Sequence, residues 1–176
     1  MKGLILAAAL VAAGAPASAA QASVPSAVKV PEGNKAFLQA HAIGVQIYSC
    51  NATATGYGWA LAGPRANLYD KHGKLVATHF AGPTWQAKDG SKVVGARVNG
   101  VNVDPTAIDW LLLSATSTTP GRFGGTTYIQ RINTTGGLVP AAADCNAGTV
   151  GTQREVSYTA DYVFWKKHGG GHGRRD

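Results

Sequence analysis

His79, Trp85 and Asp89 place an imidazole, a large aromatic ring and a carboxylate within eleven residues, around the rigid Gly82-Pro83 pair. Two chemistries suit that set. The three side chains can line a ligand pocket, or His79 and Asp89 can serve as base and orienter in a hydrolysis. A plainer alternative has Asp89 capping a turn, Trp85 filling the core and His79 bonding a backbone carbonyl. Hydrolysis also needs a nucleophile, and neither G-x-S-x-G nor H-E-x-x-H occurs in the chain.

Other chemistry-bearing residues are sparse. Glu32 and Glu155 are the only glutamates, so a glycosidase would draw its carboxylate pair largely from Asp70, Asp89, Asp104, Asp109, Asp144 and Asp161. Asp70 and Asp89 read as turn formers and Asp104 as a cap. Asp109 and Asp161 lie in apolar runs, where an unpaired carboxylate is costly, and a structural ion pair with a partner such as Arg131 is favoured over catalysis. Tyr57, Trp59, Trp85 and Trp165 could stack on sugar rings, although core packing is the favoured reading of aromatics in a β-rich chain. His168 and His172, separated by three glycines, could hold copper, nickel or zinc weakly, against the alternative of a loose low-complexity tail. No cofactor is expected.

The elements that must position these groups start after an export signal. Lys2, the apolar run Leu4 to Ala13 and the small-residue exit Ala17-Ser18-Ala19-Ala20 have the three regions of a secretory signal peptide. In an oxidising compartment the only two cysteines, Cys50 and Cys145, are expected to form one disulfide. Free or metal-binding thiols lack support, because no C-x-x-C spacing is present. The net charge of +7 falls to +6 without Lys2. The last eleven residues carry Lys166, Lys167, Arg174 and Arg175 against Asp176, and the body from Gln21 to Trp165 has eleven basic and eight acidic residues. That scatter argues against a specific nucleic-acid partner, while a basic tail favours weak attachment to anionic envelope surfaces. No apolar run after the signal is long enough for a membrane-spanning helix.

Short aliphatic bursts punctuated by Gly, Asn, Asp, Pro and Thr read as an all-β domain. Residues 21–34 form a leader without periodicity. Lys35 to Cys50 is β-rich, with Gly44 as a bulge or junction between two strands. Ala62-Gly63-Pro64 recurs as Ala81-Gly82-Pro83, and Asp70 recurs as Asp89, both offset by 19 residues. Each Asp opens a Gly-containing turn, which predicts two successive hairpins of a meander. Asp104-Pro105 can start a helix, but Trp110-Leu111-Leu112-Leu113 suits a strand buried on both faces, so a helical turn leading into a strand is favoured over 105–115. Val156, Tyr158, Ala160, Tyr162 and Phe164 share one face of the last strand and belong to the core.

These segments also form an ordered pattern. Gly44-Val45-Gln46-Ile47-Tyr48-x-Cys50, Trp59-x-Leu61-x-Gly63-Pro64, His79-Phe80-Ala81-Gly82-Pro83-Thr84-Trp85, Asp89-Gly90-Ser91, Trp110-Leu111-Leu112-Leu113, Tyr128-Ile129-Gln130-Arg131-Ile132-Asn133-Thr134-x-Gly136-Gly137 and Tyr158-x-Ala160-Asp161-Tyr162 follow one another. The chain thereby resembles the secreted bacterial and fungal family called domain of unknown function 3455. The resemblance implies an exported, β-rich single domain with no established activity, so it carries over no catalytic residue. Some relatives bear a malate dehydrogenase label, which the residues do not support: no G-x-G-x-x-G opens a helix after a strand, and Gly169-Gly170-Gly171-His172-Gly173 sits at the carboxyl terminus, with nothing after it to bind a pyrophosphate.

The expectation is therefore a signal peptide at 1–20, a leader at 21–34, one β-domain at 35–165 and a disordered basic His/Gly-rich tail at 166–176. The domain should be an antiparallel sandwich or flattened barrel of about nine to eleven strands with one disulfide. It is expected to be periplasmic or secreted, monomeric and non-enzymatic, binding a small ligand or an envelope polymer. Hydrolysis at His79 and Asp89, and weak metal binding by His168 and His172, are the alternatives.

Overall fold

The computed structural model describes residues 23–169, so the expected signal peptide and His172 lie outside the described residues. Eight strands follow in order: β1 (Asn34–Thr53), β2 (Gly56–Tyr69), β3 (Leu75–Phe80), β4 (Thr84–Ala87), β5 (Lys92–Val101), β6 (Trp110–Thr118), β7 (Thr126–Gly136) and β8 (Gln153–Lys167). Each pairs antiparallel with the next and β8 returns to β1, closing a barrel with no unpaired edge. The all-β, antiparallel expectation holds, and Asp70 and Asp89 sit in hairpin turns as their sequence context predicts.

The strand count is lower than the sequence suggested, and Gly44 supplies part of the reason. Lys35 to Cys50 lies within one 20-residue strand rather than two. Gly44 is not a junction but a point of close approach, where a Cβ would strike the Arg65 carbonyl oxygen and Ala66. The register slips further along, between Ile47 and Tyr48. At its other edge β1 pairs along most of its length with β8, whose Lys166 and Lys167 still belong to the strand.

Alternation decides what fills the barrel. Tyr158, Ala160, Tyr162 and Phe164 of β8 point inward with Trp85, Leu68, Leu113 and Ile129. Ala40, Ala42, Ala66 and Ala77 on β1 to β3 leave room for those rings, so small and large side chains are complementary across the lumen. The β2–β3, β4–β5 and β6–β7 connections gather at one end. There Phe123, from the last of these, is fully buried with its ring centroid 4.7 Å from that of Phe164, and it closes that end. Exposed Lys71, Lys74, Lys88, Lys92, Arg122 and Lys166 surround it, so basic residues scattered in sequence are gathered in space. The opposite end stays open and carries exposed Leu61, Phe80, Val98 and Val103.

A second apolar layer lies outside the barrel. Trp110 and Leu112 face outward from β6 and pack with Ile132, Val163 and the fully buried Val28 of a 3-10 turn at Ser26–Val28. Gln130 ties that turn down by donating its side-chain N–H to the Val28 carbonyl at 2.7 Å. This explains the unbroken apolar run at Trp110–Leu113: β6 is covered on both faces. Upstream, Asp104 caps a single turn, accepting from the Thr106 N–H at 2.8 Å. The Cys50–Cys145 disulfide fastens the end of β1 to the β7–β8 connection. No helix among the described residues is long and apolar enough to cross a membrane.

Candidate functional site

The open half of the barrel holds a cavity of about 310 Å³. Every strand contributes to its wall: Gln46 from β1, Leu61 to Pro64 from β2, His79 from β3, Trp85 from β4, Arg97 from β5, Leu111 and Leu113 from β6, Arg131 from β7 and Tyr162 from β8. The two Ala-Gly-Pro copies meet at its rim. Gly63 has φ +147°, and a Cβ there would come within 2.6 Å of the Ala81 Cβ, so glycine lets β2 lie against the β3–β4 turn. The short repeat in the sequence thus becomes one wall of the cavity.

Aromatic rings make the floor. His79 and Trp85 are cross-strand partners whose rings stack 4.3 Å apart and within 4° of parallel. Tyr162 meets both edge-on, at 5.2 and 5.3 Å, and Phe164 supports Trp85 from below at 5.9 Å. Gly95 makes space for the indole, since a Cβ there would lie 3.1 Å from Trp85. The His79 Nδ1–H donates to the Thr84 carbonyl at 2.9 Å, so the neutral ring presents Nε2 as a bare acceptor. Burial, with the nearby Arg131 cation adding to it, lowers the His79 pKa to about 3 against the opposing Thr84 bond.

The polar groups around this floor are mostly donors. The Trp85 indole N–H is buried and unpaired among the described residues. The Tyr158 and Tyr162 hydroxyls lie close to each other, and that of Tyr162 close to Arg131, but they make no well-aligned hydrogen bond there. Burial holds both tyrosine pKa values above their usual level, so the hydroxyls stay protonated and able to donate. Gln46 is 3% exposed. Arg131 lies opposite Tyr162 in the β7–β8 register and donates from Nε and Nη2 to the Asp109 main-chain carbonyl at 3.0 and 2.9 Å. The Asp109 carboxylate turns instead to Arg97, at 3.3 Å. Arg131 therefore meets no carboxylate among the described residues.

His79 and Trp85 come together as the sequence suggested; Asp89 does not join them. β4 carries the chain from the open end to the closed end, and Asp89 sits in the β4–β5 turn there. Its carboxylate accepts from Ser91 Oγ at 2.6 Å, from the Ser91 N–H at 3.0 Å and from the Arg122 N–H at 2.8 Å. Those bonds, the Ser91 hydroxyl first, hold its pKa below the usual carboxylate range. With the His79 Nδ1 on Thr84, no bond joins imidazole to carboxylate.

The remaining candidates are dispersed. Trp59 donates to the Ala141 carbonyl at 3.1 Å, Trp165 packs against the outer apolar layer, and Tyr57 is exposed on the β1–β2 hairpin, so the four aromatics share no platform. Asp161 pairs with His41 at 2.7 Å and accepts from Asn133 at 2.8 Å. His168 follows β8 at the closed end, and no metal-sized cluster of His, Cys, Asp and Glu occurs among the described residues. A broader depression of about 470 Å³ runs past Phe37, His41, Tyr69 and His72, but it lies against the outer turns and its His41 and Asp161 are already paired.

Sequence reasoning missed Gln46 and Arg97, and it treated Arg131 and Tyr162 as structural. The signal for Arg131 was present: it is two residues beyond the lumen-facing Ile129, so alternation puts a cation inside the barrel.

A closed up-and-down barrel, sealed at one end and hollow at the other, is the class of protein that this fold and site define. The chain belongs to the family described as protein of unknown function (DUF3455), which matches residues 31–166. No curated protein and no solved structure matches it.

Proposed function

We propose that the protein is exported and non-enzymatic, and that it holds a small ligand in the open half of its barrel. The observation that carries this is the 310 Å³ cavity, walled by all eight strands and bordered by the buried donors of Trp85 and Tyr162 and by half-buried Arg131. Barrels of eight strands are wide enough to be filled by side chains or to hold one small molecule, and here the lower half does the first. The apolar wall supplies burial and the few polar groups supply orientation, the usual division of labour in small-molecule sites. Phe123 closes the far end, so a chain end or a short molecule fits and a threading envelope polymer does not.

Export is supported by the amino-terminal signal pattern and by the Cys50–Cys145 bridge, which persists in oxidising compartments. The separation of His79 from Asp89 gives hydrolysis no support. The test is native mass spectrometry of protein purified from its own envelope, compared with the denatured, unreduced chain. Extra mass that disappears on denaturation is expected, together with a chain shortened by about the signal length. A bare native mass across several preparations would count against a resident ligand, and an intact amino terminus would count against export.

A further inference from the structure

We infer that the ligand of this cavity is a small apolar monocarboxylate, seated with its carboxylate on Arg131 and its hydrocarbon against Leu61, Leu111 and Leu113. This rests on the lumen being a ligand site. The geometry adds the chemical class, through three features of the polar groups.

The first is donor excess. Gln46 and Tyr162 are 3% and 1% exposed, and the Tyr162 hydroxyl, close to Tyr158 and Arg131, makes no well-aligned hydrogen bond with either. The well-aligned bonds of Arg131 use two of its five N–H groups, both on the Asp109 carbonyl. A ligand that satisfies these groups must present acceptors, and a carboxylate presents two oxygens with about four lone-pair sites. His79 Nε2 is an acceptor, left for a ligand hydroxyl or unused.

The second is charge. Asp109 gives its carbonyl to Arg131 and its carboxylate to Arg97, so a half-buried guanidinium faces the cavity with no counter-ion among the described residues. A partly desolvated cation lacking an anion carries part of the desolvation cost of a buried charge, and one carboxylate neutralises it. A phosphate dianion would leave excess negative charge against leucine, and a neutral ligand would leave the cation unpaired. His79, held neutral by burial, adds no second positive charge, and the Arg97 charge is met by the Asp109 carboxylate.

The third is size and polarity. Away from Arg131, Arg97 and Gln46 the wall is leucine, proline, small residues and the aromatic floor. A cavity at the lower end of the range for small-molecule sites accepts on the order of ten to fifteen non-hydrogen atoms. Medium-chain fatty acids and bicyclic aromatic acids meet both limits.

Isothermal titration calorimetry of the delipidated full-length mature protein near neutral pH tests this with two matched pairs: octanoate against octanamide, and 2-naphthoate against 2-naphthamide. Each acid should bind more tightly than its amide, on the order of ten- to a hundredfold, the range for a charge-assisted hydrogen bond. In Arg131→Gln that preference should shrink to within about threefold, through loss of acid affinity rather than gain of amide affinity. Arg131→Lys, which keeps the charge and loses the fork, should retain part of the preference and shows that the loss is not misfolding. Equal binding of acid and amide by the unaltered protein overturns the carboxylate assignment and leaves the lumen site standing. Binding of no member of either pair at millimolar concentration overturns the lumen site itself.

Discussion

Acidification should weaken the fold through His79, and the structure sets both the size and the pH window of the effect. The ring is buried, stacked on Trp85 and bonded to the Thr84 carbonyl, and its pKa in the folded state is lowered to about 3 from 6.5. Between those values the unfolded chain binds a proton that the folded chain refuses. Stability therefore rises with pH across this window: the full contribution is present above about pH 6.5 and is lost as pH falls towards 3. At about 1.4 kcal/mol per pH unit, moving from pH 7 to pH 4 removes about 3 kcal/mol. Asp70, Asp89 and Asp104, whose pKa values are lowered by local hydrogen bonds, lose their contributions only as pH falls below about 4, which leaves the upper window to the histidine. Urea unfolding followed by tryptophan fluorescence at about pH 7, 6, 5 and 4 reads the slope directly. His79→Gln should be less stable at neutral pH, having lost the stack, yet clearly flatter across the window. Equal slopes in the two proteins would refute both the burial and the neutral state of the ring.

Three further outcomes follow from the packing. Replacing Cys50 and Cys145 together by Ala opens a loop closed over a sequence separation of 95, and should lower unfolding free energy by about 4 to 5 kcal/mol on the loop-entropy relation, measured by urea denaturation. Tyr162→Phe removes a buried hydroxyl that makes no well-aligned hydrogen bond, so the ligand-free protein should change by no more than about 1 kcal/mol in urea unfolding, while its acid affinity in the calorimetric titration falls. Gly44→Val places side-chain atoms against the Arg65 carbonyl and Ala66, where backbone must move, and should cost about 2 to 3 kcal/mol or more in thermal unfolding.

Much of the fold was legible because local rules and tertiary packing agree along it. The inward face of β8, Tyr158 to Phe164, follows strict alternation in both sequence and structure. The Asp70 and Asp89 turns need only local hydrogen bonds and glycine, so their residues declare them. Gly44 misled because glycine serves two purposes, a break in pairing or a close approach of backbones, and only the neighbouring strand decides between them. Asp89 misled in another way: proximity in sequence to His79 is cancelled when a four-residue strand separates the two ends of a barrel. Arg131 was hardest to place. Its cation looked like a partner for the Asp109 carboxylate, and the structure gives it the Asp109 carbonyl instead, a distinction that no spacing encodes.

The most direct test of the lumen as a binding site is a crystal structure of the protein isolated from its own envelope without unfolding or delipidation. A bound molecule should occupy the cavity between Trp85, Leu111 and Arg131, with a planar headgroup within hydrogen-bonding distance of the Arg131 guanidinium. A lumen holding only ordered water, with Tyr162 and Gln46 bonded to that water and no density against the leucines, would contradict it.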